Sequence, residues 1–65
     1  MYNIDAYDVD AEQAVQVNGI EKRNVAMLKA FRLAKEWPMV EVRNPSDLNP
    51  DNQPIAGWIE GKRQF

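Results

Sequence analysis

Cysteine and histidine are both missing from the 65 residues, and so is threonine. Without cysteine there is no disulfide, and without either residue there is no zinc site of the usual Cys/His kind. Nucleophilic catalysis of the triad type lacks its parts, because Ser46 is the one aliphatic hydroxyl and no imidazole exists to serve as its base. An apolar run of the roughly 20 residues needed to cross a membrane is also absent. Met1-Tyr-Asn-Ile-Asp5 has neither the basic start nor the apolar stretch of a signal peptide. The expectation is an intracellular, cytoplasmic protein with no membrane contact. Asn44-Pro45-Ser46 carries proline at its middle position and is not a glycosylation acceptor. Asp47-x-Asn49-x-Asp51 opens like a calcium loop, but Asn52 takes the glycine position and Trp58 the place of the bidentate glutamate. No metal and no cofactor are expected.

Paired carboxylates are the remaining route to acid–base chemistry. Asp5, Asp8, Asp10 and Glu12 crowd one polar segment, where solvated surface charge is the ordinary state of such residues. The inventory therefore reads as non-enzymatic. A chain this short has one core and modest stability, and small domains commonly add a disulfide, a metal or a partner chain. With the first two excluded, a partner protein or a second copy of the chain is the expected support.

The stretch that is present in strength is Asn24 to Trp37, rich in alanine, leucine and methionine, which lose little side-chain freedom in a helix. Pro38 ends it, since the residue before proline is driven out of the helical region. Met27, Leu28, Phe31 and Ala34 recur at helical spacing and define the expected buried face. Asn24 is expected as the N-cap. Strands are expected at Tyr2–Tyr7, on an edge, at Met39–Arg43 and at Ile55–Glu60, all alternating in polarity. Between them, Gln13–Val17 and Ile20–Arg23 read as two strands of a hairpin turned by Asn18-Gly19, the dipeptide that best tolerates two positive φ angles. A competing reading makes residues 11–32 a helix-turn-helix, with Ala14, Gly19, Ile20, Val25 and Leu28 at the small, turn and core positions.

The resulting fold class is α+β: a helix over about 24–37 packed on a small antiparallel sheet of three to four strands, in β-β-α-β-β order. It forms a single domain, 1–65, with a Pro/Asp/Asn-rich loop at 44–54 and a frayed basic tail at 61–65. The expected core is Ile4, Val15, Val17, Met27, Leu28, Phe31, Ala34, Val40, Val42, Ile55 and Ile59.

Leu33, Trp37 and Trp58 do not fit that core and form the expected protein-binding patch, tryptophan being the residue most favoured at binding hot spots. The leading functional expectation is an adaptor, inhibitor or accessory subunit, a size class shared with accessory proteins of phages and mobile elements. Charge supplies the alternative. Residues 1–19 hold four acidic and no basic side chains, whereas 20–37 hold five basic and two acidic ones. Lys22, Arg23, Lys29 and Arg32 would then contact nucleic-acid phosphates, although a pI near 4.9 opposes nonspecific binding. The simpler reading of the same asymmetry is that the acidic segment neutralises the helix within the fold. A structural homo-oligomer joined through a strand edge is the third expectation.

Overall fold

The computed structural model describes residues 1–45 and 51–65. Five strands and one helix follow in the order β1 (Tyr2–Tyr7), β2 (Gln13–Ile20), α1 (Arg23–Leu33), β3 (Met39–Arg43), β4 (Pro54–Ile59) and β5 (Lys62–Arg63). The architecture is α+β, as expected, with an antiparallel sheet in the spatial order β2-β1-β3-β4-β5. Among the described residues no helix is long and apolar enough to cross a membrane.

The alternation of β1, β3 and β4 sorts their side chains into two rows that cross the sheet. Val17, Ile4, Val42 and Ala56 stand opposite one another in one row, and Val15, Ala6, Val40 and Trp58 in the next. Both rows face α1. Ile4, Val40 and Val42 are completely buried, and each such side chain contributes about 1.5–3 kcal/mol by leaving water. β1 lies between β2 and β3, so it is an interior strand and not the expected edge. Because β2 and β3 both run antiparallel to β1, they are parallel to each other, and α1 is the crossover of a split β-α-β unit.

Residues 13–20 form one strand, which removes both the Asn18-Gly19 hairpin and the helix-turn-helix over 11–32. Asn18-Gly19 is a bulge instead. The register steps from Tyr2↔Ile20 to Ile4↔Val17, Gly19 has φ +74°, and its N–H donates to Asn3 Oδ1. A second register shift falls between Ala6 and Tyr7 and leaves Ala14 unpaired. The β1–β2 turn is built by Asp8, whose Oδ1 accepts from the N–H groups of Asp10 and Glu12. That turn holds Ala11 at φ +62°.

The helix begins at Arg23 with Lys22 as its N-cap, and no side chain caps it. Asn24 does not take that role, since its Oδ1 accepts from the adjacent Val25 N–H. After Leu33 the chain continues in turns, with the N–H groups of Glu36 and Trp37 both donating to the Leu33 carbonyl. The buried face is Ala26, Ala30 and Ala34, not the face centred on Phe31. At about 100° per residue, Met27 and Leu33 fall within about 60° of Ala30, whereas Phe31 is about 100° away and Leu28 about 160°. Leu28, Phe31 and Ile59, expected in the core, are each about half exposed. An alanine ridge lets the backbone of α1 approach the sheet, and the large side chains come from the strands. Ala6, Ala26, Ala30, Ala56 and Trp58 complete the core.

The tail expected to fray is ordered onto the sheet. Trp58 pairs with Arg63 and Ile59 with Lys62, and the Gln64 N–H donates to the Gly57 carbonyl. Glu60 (φ +52°) and Gly61 (φ +78°) are the two central residues of this hairpin, the signature of a type I′ turn. A Cβ on Gly57 would stand 3.1 Å from the Phe65 ring, so the glycine makes room for that aromatic side chain. Of the expected 44–54 loop, residues 46–50, which include Ser46 as well as Asp47 and Asn49 of the calcium-like run, lie outside the described residues, and Pro54 already belongs to β4.

Candidate functional site

α1 covers one face of the sheet only. The centre of the other face is closed by a polar network on β1, β3 and β2. Arg43 places Nη1 3.3 Å from Asp5 and Nη2 3.0 Å from Glu41, while its Nε donates to the Asn52 carbonyl. The Gln13 amide donates to the other Asp5 oxygen at 2.6 Å. Burial alone would lower the Arg43 pKa, but the charge and hydrogen bond of Glu41, assisted by Tyr7, outweigh it and raise the value. Asp5 is thus a buried, paired carboxylate and not part of the solvated acidic strip. Every donor direction of this guanidinium that the network uses is directed at the fold, so the cluster ties β1, β3 and residue 52 together and leaves little for a ligand.

The three residues expected to form an exposed patch separate in space. Trp58 is 4% exposed and lies in the core, with the Arg63 guanidinium 5.6 Å from its ring centroid. Leu33 and Trp37 are half-buried against the same core. Trp37 also lines an open cleft, of about 550 Å³, where the end of α1 meets the β4–β5 turn and the tip of the β1–β2 turn, whereas Trp58 borders a smaller hollow of about 150 Å³ beside Gly57 and Phe65. The chain reaches this place for local reasons: Pro38 stops the helical turns at Trp37, and the Pro38 carbonyl then accepts the Glu60 N–H at 2.8 Å. Val9, Lys35, Glu36, Pro38, Glu60 and Gly61 are among its other lining residues. A second cleft of about 260 Å³ shares Val9, Pro38 and Glu60 and extends toward Tyr7, Asp8 and Met39.

This end of the molecule is acidic. Glu36 and Glu60 are exposed, Asp8 adjoins them, and the helix presents its carbonyl end, the negative pole of its dipole, in the same direction. Among the described residues the ion pairs are the two made by Arg43, so neither glutamate has one. Lys35 is the single cation in the cleft wall, and its Nζ stands 4.8 Å over the Phe31 ring. The sequence flagged Trp37 but neither glutamate. The missed signal is Glu60-Gly61, a two-residue link between Ile59 and Lys62 that fits a tight hairpin.

The four residues of the nucleic-acid reading are all exposed. At about 100° per residue, Lys22, Lys29 and Arg32 share an arc of about 80°, from which Arg23 stands apart. None of the four has an ion pair among the described residues. Among the described residues the acidic N-terminal segment makes no ion pair with them: Asp5 pairs with Arg43, and Asp8 accepts hydrogen bonds within its own turn. Val25, Leu28 and Phe31 lie exposed between these cations. No group of three or more metal-ligating side chains occurs among the described residues. Compared with family models, curated proteins and solved structures, the chain matches none.

Proposed function

We propose that the protein acts by binding another protein at the cleft beside Trp37, as an adaptor, inhibitor or accessory subunit, and performs no bond-making chemistry. The observation that carries the reading is the placement of Trp37: a large, half-buried residue packed against the core that also lines an open cleft. Rigid aromatic anchors beside a concavity give contact area at low entropic cost, which is the usual make-up of a binding hot spot. The missing thiol and imidazole support the same reading from the chemical side.

A nucleic-acid partner is the second reading, favoured by the shared arc of Lys22, Lys29 and Arg32 and by the absence of ion pairs there among the described residues. It would use α1 as a phosphate-facing surface, because no second helix precedes it to form a helix-turn-helix. Self-association through a strand edge has less support. β2 is bulged near both ends, and β5 is two residues long and doubly cationic, which are the devices that keep strand edges from pairing.

A photo-crosslinking residue placed at Glu36 tests the proposal in lysate of the source cell, with the same residue at Gln16 on the opposite sheet face as the control. One discrete protein adduct from position 36, absent from position 16 and reproduced with the purified partner, is the expected result. No adduct from either position, together with salt-sensitive binding to an oligonucleotide, would transfer the assignment to the cationic side of α1.

A further inference from the structure

We infer that the cleft beside Trp37 takes a cationic side chain, arginine or lysine, from its protein partner. This rests on the protein-binding reading above and names the chemistry of the occupant. The cleft joins three things a guanidinium or ammonium group requires. Trp37 lines it, and tryptophan, with its negative π face, is the best of the aromatic residues for holding a cation. Glu36 and Glu60 stand on the walls with no ion-pair partner among the described residues. The carbonyl end of α1 adds its partial negative charge. The local cation does not fill this place, since Lys35 lies over Phe31.

The choice of residue at position 60 agrees with this. A type I′ turn favours asparagine, aspartate or glycine at its first central position, because that position needs positive φ. Glutamate stands there at φ +52°, where its backbone is strained. The fold gains nothing visible from its carboxylate, which has no hydrogen bond or ion pair among those described, whereas the cleft gains a negative wall.

Two acetylated, amidated peptides test the inference, Gly-Arg-Gly-Arg and its neutral counterpart Gly-Gln-Gly-Gln, titrated into the ¹⁵N-labelled full chain. The arginine peptide is expected to shift the Trp37 indole N–H and the Glu60 and Gly61 amides saturably. The affinity should fall at least tenfold in the Glu36→Gln/Glu60→Gln variant, and similarly in 0.5 M salt, with the glutamine peptide leaving these signals in place. Equal shifts from both peptides would overturn the cationic assignment while leaving the cleft as a peptide site. Shifts confined to Asp8, Asp10 and Glu12 would show general attraction to the acidic turn and would also overturn it. No shift at Trp37 with either peptide would remove the cleft itself from the account.

Discussion

Replacing Glu60 by asparagine should make the protein more stable, although no contact is added. Glu60 and Gly61 sit at φ +52° and +78° in a two-residue hairpin. An ordinary L-residue held in the left-handed region costs about 1–2 kcal/mol. Asparagine tolerates that region and is the favoured partner of glycine in this turn. Recovery of about half the strain gives a gain of about 0.5–1 kcal/mol. The backbone N–H of residue 60 keeps its bond to the Pro38 carbonyl, so no compensating loss is expected. Removing one carboxylate from an already acidic end adds in the same direction. For a domain of this length about 1 kcal/mol moves Tm by about 4–8 °C, so the expected rise is about 2–8 °C. Urea unfolding should show a higher midpoint at unchanged slope, because the surface exposed on unfolding is the same. A midpoint equal to or below that of the parent, at the same slope, would refute the strain argument. The turn would then be held by something other than the conformational preference of its residues.

Five further substitutions probe the rest of the fold. Lys22→Asp supplies the missing cap to a helix whose first turn holds no acidic residue, and thermal melts should show a gain of about 1 kcal/mol. Ala30→Leu forces a large side chain into a completely buried position and should cost about 1–3 kcal/mol, whereas Phe31→Ala, removing a half-exposed ring, should cost about 1 kcal/mol or less. The reverse ranking in urea titrations would mean that α1 stands on its other face. Gly57→Ala places a methyl group 3.1–3.2 Å from the Phe65 ring, so it should destabilise the parent but be neutral or stabilising in a Phe65→Ala background. Additive effects in that double-mutant cycle would show that the ring does not rest on Gly57.

The helix was legible because alanine, leucine and methionine accumulate between Lys22 and Pro38, but it ends at Leu33 and not at Trp37, with only turns carrying the chain on to the proline. Its orientation was not. Weighting side chains by size puts Phe31 at the centre of the buried face. The sheet, however, already brings Ile4, Val40, Val42 and Trp58 to the interface, so the helix contributes its small residues. Complementarity of volume between two elements cannot be read from either one alone. Asn18-Gly19 misled for a related reason: the positive φ it supplies serves a bulge as well as a turn, and Gly19 uses it at +74° within β2. The true two-residue turn carries a glutamate and so gave no strong local signal. Trp58 entered the core because it stands in one row with Ala6 and Val40, on the face of the sheet that α1 covers. Of the candidate site, Trp37 could be singled out from the sequence as an anchor. The carboxylates beside it come from two separate turns, and chain order does not place them together.

The claim on which the functional account depends is that Trp37 borders an open, negatively charged cleft while Trp58 is sealed in the core. A Trp58→Phe variant leaves Trp37 as the only indole, and its fluorescence can be quenched with caesium and with iodide at matched low ionic strength. An acidic cleft concentrates cations and repels anions, so caesium should quench Trp37 more efficiently than iodide, relative to free tryptophan amide, and the difference should shrink as salt is added. Quenching by iodide equal to or stronger than that by caesium, or no quenching by either, would contradict the account.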